Sequence, residues 1–211
     1  MHILEIIEPH IQTVRSNTPS NELGRDTKSP SYIDSGNFSV VHQDEDPHMV
    51  SKTARGAKES RIDGYWVFVD YVLRYKLWEN PYFPRIYGKK TTTHTQNNAS
   101  IKNVTMEKLH SHNTLSEEEG IFLYKKMFGE NIDKFDVEDL GMRIEEEVGT
   151  GKASGNAKSY DKNYIKAIRI LHNISKKEKT YIDIWEENLM YRRGRYGVQL
   201  VITDPFAHKN D

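Results

Sequence analysis

The closing thirty residues constrain this chain most. They read Tyr181-Ile-Asp-Ile-Trp-Glu-Glu-Asn-Leu-Met-Tyr191, then Arg192-Arg-Gly-Arg-Tyr-Gly197, then Gln199-Leu-Val-Ile-Thr-Asp-Pro-Phe206. An apolar-polar run, a basic Gly-containing turn and a second apolar run that ends on an acid specify a β-hairpin. Asp183 precedes Asn188 by five residues, and Asp204 closes the second strand. Phosphoryl transfer needs an acid to orient a hydroxyl nucleophile, an amide oxygen for one magnesium ion and a carboxylate for the other. The spacing Asp-x-x-x-x-Asn followed by a strand-terminal Asp supplies all three.

A chain of 211 residues forms one domain or one bilobal domain, and it is long enough to bury a core without disulfides or metals. Hydrophobic residues are 36% and charged residues 29%, which predicts a polar surface and long loops. A net charge of −1 gives no reason to expect nucleic acid or an anionic membrane as the main partner. The absence of cysteine excludes disulfides and thiol catalysis. The start, Met1-His-Ile-Leu-Glu-Ile-Ile-Glu-Pro, is too acidic and its apolar part too short for a signal peptide. No apolar run approaches the roughly 18 residues of a membrane span. The expectation is a reducing cytoplasm, with the sequons at Asn98, Asn103 and Asn173 as chance matches.

In chain order, residues 1–17 show helical spacing through Ile3, Ile6, Ile7 and Ile11, and 18–30 is a polar loop. Tyr32 to Val41 predicts two strands about a turn centred on Gly36, and Asp44-Glu-Asp-Pro47 makes the next turn. His48-Met-Val-Ser-Lys52 predicts a strand ending in lysine. Tyr65, Trp66, Phe68, Val69, Val72 and Leu73 recur at helical spacing until Glu79-Asn-Pro-Tyr-Phe-Pro stops the helix. Arg85-Ile-Tyr-Gly88 opens a strand, 91–100 is a polar hairpin tip, and Ile101–Leu109 is the return strand. Ser116-Glu-Glu-Glu119 is a capping box that opens a helix. Further helices are expected over 136–148 and 160–174, with a linker at 149–155 between them. The fold class is α+β, with an antiparallel β lobe followed by a mostly helical one.

In this order, the pieces resemble a protein kinase. Ser35-Gly36-Asn37-Phe38-Ser39-Val40-Val41 is similar to the glycine-rich loop, with Asp34 and Ser39 at the outer glycine positions. Met49-Val-Ser-Lys52 is similar to the strand that carries the phosphate-binding lysine, and Val104-Thr-Met106-Glu107-Lys108-Leu109 to the gatekeeper and hinge. Asp183–Asn188 resembles the catalytic loop, and Val201-Ile-Thr-Asp204 the metal-binding strand. The nearest resemblance is to the early serine/threonine kinases of short-tailed lytic bacteriophages. Those proteins share the Gly-Asn/His-Phe-Ser loop and the ending Ile-Thr-Asp-Pro, and the likeness covers most of residues 30–206, in order.

That resemblance implies a bilobal, kinase-like fold: an N-terminal helix and linker over 1–29, an N-lobe over 30–109 and a reduced C-lobe over 110–211. It implies ATP and Mg²⁺ as cofactors. Asp183 would orient the acceptor hydroxyl, and Asn188 and Asp204 would hold the metal. Lys52 would pair with the α- and β-phosphates. Ser35, Gly36, Asn37, Phe38, Ser39, Val41, Met106, Glu107 and Leu109 would surround the nucleotide. Asp63 and Asp70 are the candidate partners of the lysine, although the family uses a glutamate there. The implied activity is phosphorylation of host bacterial proteins on Ser or Thr, in the host cytoplasm, with neither membrane nor direct nucleic-acid binding.

Several positions depart from the family pattern. Tyr181-Ile182 replaces His-Arg before the catalytic acid, and Pro205-Phe206 replaces Phe-Gly after the metal acid. Only five residues follow Phe206, which leaves no room for an activation segment or a helical substrate platform. Two rival readings therefore stand. One is a weak or inactive kinase fold that binds and inhibits a host enzyme or defence factor. The other is a small-molecule phosphotransferase. Among lesser motifs, His94, His110 and His112 are solvated loop histidines rather than metal ligands. Gly149-Thr-Gly-Lys152 reads as linker rather than phosphate loop. Arg192-Arg-Gly-Arg195 reads as a solvated hairpin tip or a docking point for an acidic partner.

Overall fold

Alternation of β-branched and polar residues through 39–55 and 86–107 suits a pleated surface with one covered face. In the computed structural model, which describes residues 32–35, 39–55, 64–94, 99–154, 159–195 and 197–207, these segments form an antiparallel sheet. Its strands are β1 (Tyr32–Ser35), β2 (Ser39–Gln43), β3 (Met49–Arg55), β4 (Ile86–His94) and β5 (Ala99–Glu107), in the order β1-β2-β3-β5-β4. Val41 pairs with Lys52 and Lys52 with Val104, while Val50 and Ile86 both pair with Met106. Paired residues share a face, so Val41, Val50, Lys52, Val104, Met106 and Ile86 form one surface. Val50, Ile86, Val104 and Met106 are buried on it. The turn between β2 and β3 is tied by its acids: Asp44 accepts from Ser51 Oγ at 2.8 Å and Asp46 from His48 N at 2.8 Å. Pairing of β4 and β5 continues out to His94 opposite Ala99, into the stretch expected to be a polar tip.

The apolar spacings of the other segments become four helices among the described residues. Helix α1 (Gly64–Tyr75) buries Tyr65, Phe68, Val69 and Val72, one face at three- and four-residue intervals. Helix α2 (Glu117–Phe128) begins at the expected capping box, in which Ser116 Oγ accepts from Glu119 N at 3.2 Å and Glu119 accepts from Ser116 N at 3.0 Å. Helix α3 (Val137–Thr150) is capped by Asp136 and stopped by Gly151 at φ 69°. Helix α4 (Lys162–Glu178) is capped by Asp161 and stopped by Lys179 at φ 56°. The closing segment is not one plain hairpin. It divides into β6 (Tyr181–Ile182), a 3₁₀ turn (Glu186–Asn188), β7 (Leu189–Gly194), β8 (Gly197–Ile202) and β9 (Phe206–Ala207).

Among the described residues, β1 to β5 form one compact unit, and 64–85 together with 109–207 form a second. Helix α1 was expected in the sheet lobe of 30–109, but it groups with the second unit. The cause lies in its buried face. The Phe68 ring meets Phe83 edge-on at 5.8 Å and Phe206 at 6.2 Å, and a Cβ on Gly64 would come within 2.3 Å of the Phe206 carbonyl oxygen. That approach is closer than any side chain permits, so glycine is what lets the helix start against β9.

Candidate active site

Two antiparallel ladders create the site in the second unit. Ile182 of β6 pairs with Phe206 of β9, and Leu189 of β7 pairs with Ile202 of β8. Residues 183–188 and 203–205 are the two connections left between those ladders, so they must face one another. Three hydrogen bonds close the gap, and a fourth braces 183–188 from within. Asp183 N donates to Pro205 O at 3.0 Å, and Thr203 N donates to Asn188 O at 3.0 Å. Thr203 Oγ1 also donates to Asn188 O at 3.1 Å. Asn188 Nδ2 donates to Asp183 O at 2.8 Å. Asp204 sits between the two residues that make the backbone ties. Asp183, Asn188 and Asp204 are all half-buried.

The Asn188 contact fixes more than the loop. Its amide nitrogen is held by the Asp183 carbonyl, which sets the flip of the side chain and leaves Oδ1 as the acceptor for something else. The shape of 183–188 follows from its own chemistry: Asn188 N closes the 3₁₀ turn on Trp185 O at 2.9 Å, and Ile184 is buried as an anchor. Trp185 and Tyr181, on either side of Asp183, are 55% and 59% exposed.

A magnesium ion takes one or two carboxylates and completes its shell with phosphate oxygens and water. Asp204 and the Asn188 Oδ1 fit that demand, as one carboxylate and one amide oxygen. Among the described residues no group of three His, Cys, Asp or Glu could hold a metal without such help. His110 is instead tied to Tyr191 through both backbone groups, at 2.9 and 2.8 Å.

The other expected site residues fall as follows. Lys52 and Val41 are adjacent on β3 and β2, both half-buried. Ser35 ends β1 and Ser39 begins β2, and they flank Gly36, Asn37 and Phe38, which lie outside the described residues. Met106 and Glu107 end β5 and are buried. Leu109 is buried in the second unit. Asp70 is on the exposed side of α1, and Asp63 lies outside the described residues.

Two lesser motifs resolve. Gly149 and Thr150 are the last turn of α3, Gly151 is its left-handed cap, and Thr150 Oγ1 donates back to Glu146 O at 3.1 Å, so 149–152 is a helix end. The basic tip is not simply solvated. Arg192 donates to Pro81 O at 3.1 Å and Phe83 O at 3.2 Å, while Arg193 pairs with Glu119 and donates to Thr114 O. A shallow cleft of about 350 Å³ lies where α2 and α3 begin, lined by His112, Ser116, Lys134 and Asp136. The Ser116 and Asp136 side chains already occupy helix-end N–H groups there, so it offers no open anion cradle.

Glu145 on α3 is a neighbour of Asp183 that the motifs do not contain. Partial burial pushes its carboxyl up, and the Asp183 charge adds to the rise. Glycines interrupt α3 on the same face, and that interruption was the available signal. A Cβ on Gly141 would stand 3.0 Å from Ile184 O, and one on Gly149 would stand 3.9 Å from Ile182 Cδ1. Helix α3 therefore lies directly against the 182–186 backbone.

A scan against protein-family models finds no match, and a comparison with curated proteins finds none either. The class shown is a mixed α+β protein with antiparallel sheets, and no described helix is long and apolar enough to cross a membrane.

Proposed function

We propose that this protein is a minimal, kinase-like ATP:protein phosphotransferase of the phage type, which modifies Ser or Thr of host bacterial proteins. The observation that carries the reading is the bracketing of Asp204 by backbone bonds to Asn188 and Asp183, with the Asn188 amide tied to the Asp183 carbonyl. In this reading one carboxylate would serve an acceptor hydroxyl and an amide-carboxylate pair a metal, as phosphoryl transfer requires. An antiparallel sheet unit with Lys52 on its apolar face supports a kinase-like N-lobe.

In this reading Asp183 accepts or orients the acceptor proton. Asn188 and Asp204 hold Mg²⁺, which neutralises charge developing on the phosphates. Lys52 pairs with the phosphates, residues 35–39 cover them, and Met106, Glu107 and Leu109 meet the base. The exposure of Trp185 and Tyr181 beside Asp183 favours one alternative, a kinase fold that holds a host protein without modifying it.

Labelled ATP and Mg²⁺, with and without bacterial lysate, separate the readings. Wild type is expected to transfer label to protein, and Asp183→Ala and Lys52→Ala to lose about 10²–10⁴-fold. Equal labelling by wild type and both variants sinks the kinase reading in favour of the binding one. Label moving only to small molecules indicates a small-molecule phosphotransferase.

A further inference from the structure

Charge is sorted between the exposed faces of two neighbouring helices. On α4, Lys162, Lys166, Arg169, Asn173, Lys176 and Lys177 recur at three- and four-residue spacing and are exposed. They form one stripe along the helix, about 21 Å long from Lys162 to Lys176, and no acid interrupts it. On α3, Glu138, Asp139, Met142 and Glu146 are exposed together, with no base among them. Arg143 of the same helix is taken up by Glu130 and Glu147. The two helices are adjacent: Tyr164 of α4 donates to Glu147 of α3 at 2.6 Å.

Helix stability does not account for the sorting. Lys162 stands in the first turn of α4, where the helix dipole disfavours a cation, and that turn holds no acid. Glu146 stands near the C-terminal end of α3, where the dipole disfavours an acid, and the last turn holds no base. Lys162, Lys166 and Arg169 also repel one another along their helix. Among the described residues, Lys166, Arg169, Glu138 and Glu146 form no ion pair. Composition does not account for it either, since the net charge of the chain is −1. Met142 is 52% exposed between Glu138 and Glu146, an apolar centre with a charged rim, which is the anatomy of a protein contact. The spacings of the two faces match. Glu138, Met142 and Glu146 follow one another at i, i+4 and i+8, and so do Arg169, Asn173 and Lys177. Laid side by side in opposite directions, these rows set each acid against a cation and Met142 against Asn173.

We propose that the two faces form an interface between copies of this chain: the basic face of α4 on one copy docks on the acidic face of α3 on another. Glu138 pairs with Lys177 and Glu146 with Arg169, and the apolar stems of the cations cover Met142. Because α3 and α4 are neighbours, a two-fold axis makes the contact twice, and the smallest closed assembly is a dimer. A second copy is favoured over a foreign polyanion because the complementary acidic face, with matching spacing and Met142 at its centre, is carried by this chain. The inference is independent of the phosphotransferase reading.

Sedimentation velocity of the full chain, across protein concentration and salt, tests this. Wild type is expected to approach twice the monomer mass at about 50 µM protein in low salt and to return to monomer as salt rises to about 0.5 M. Two charge reversals probe the faces separately, Glu146→Lys on α3 and Arg169→Glu on α4. Both positions are exposed, and thermal melts by circular dichroism check that the variants fold. Each variant alone is expected to associate at least about tenfold more weakly, because like charges then meet across the contact. Mixed in equal amounts, the two should regain the dimer mass, since Arg169 of one then meets Glu146 of the other and the two reversed residues meet each other. A wild type that is monomeric at every concentration overturns the proposal. So does association that ignores salt or either reversal, or a mixture of folded variants that stays monomeric. Monomeric wild type that binds labelled polyglutamate or a labelled oligonucleotide, with binding weakened in Arg169→Glu, also overturns it and gives the basic face to a foreign polyanion.

Discussion

Asn188 shows how one side chain can do two jobs because its two polar atoms differ. The nitrogen can only donate, and it is used on the Asp183 carbonyl at 2.8 Å; the oxygen can only accept. Replacing Asn188 with Ala removes both. If the proposed phosphotransferase activity holds, the expected outcome is a higher Mg²⁺ concentration for half-maximal transfer, by about tenfold or more; independently of it, a loss of about 1 kcal/mol is expected in denaturant unfolding. The Tyr191 hydroxyl makes the opposite case. It is buried with no hydrogen-bond partner among the described residues, and burial pushes its pKa up. Tyr191→Phe removes an unsatisfied group and keeps the ring, so stability should be unchanged or higher by up to about 1 kcal/mol, as read from a urea midpoint. Glu130 gives a pH prediction. The Arg143 guanidinium, at 2.9 Å, holds its carboxyl below the usual range. The folded pKa is therefore lower than the unfolded one, near 4.5. Its contribution is fully present above that value and is lost as pH falls through the folded pKa. Melting curves of wild type and Glu130→Gln should differ at pH 6 and converge below the folded pKa.

Among the elements, α1 and α3 are placed by glycines that no helix propensity would favour. Gly64→Ala should gain helix propensity yet lose stability by about 1–3 kcal/mol, because the new methyl would meet the Phe206 carbonyl at 2.3 Å. A lowered melting temperature checks this, and an unchanged one would show that β9 yields at no cost. The helices were well marked in the sequence. Ser116 and Glu119 cap α2 as their spacing requires, and the apolar spacing of α1 and α4 matches the faces they bury. The closing segment was less legible. Its apolar pattern announced strands, but the division at 183–188 depends on β9 returning to pair with β6, and Phe206 and Ala207 carry no period that signals it.

For the whole molecule, the second unit is discontinuous in sequence. Tyr82 and Phe83 are fully buried, Ile202 N donates to Tyr82 O at 2.9 Å, and Arg192 reaches the carbonyls of Pro81 and Phe83. A fragment of residues 109–211 lacks all of these and α1 as well. It is expected to show helical far-ultraviolet signal without a cooperative melt, whereas the full chain melts cooperatively. A sharp transition in the fragment would show that 64–85 is dispensable to that core. Chain order alone cannot reveal that the aromatic face of α1 is matched by Phe83 and Phe206.

Local rules sufficed for what depends on neighbours in sequence: the capping box, the strand alternation, the turn acids at 44 and 46, and the order of the candidate motifs. Three facts needed the folded chain. Asp204 lies between the partners of Asn188 and Asp183 because two separate ladders set that register. Arg192 and Arg193 are tied down because acceptors from 81–83, 114 and 119 reach them. Helix α3 packs on the 182–186 backbone because Gly141 and Gly149 leave room for it. Each is a pairing between segments far apart along the chain, which packing selects and sequence spacing does not encode.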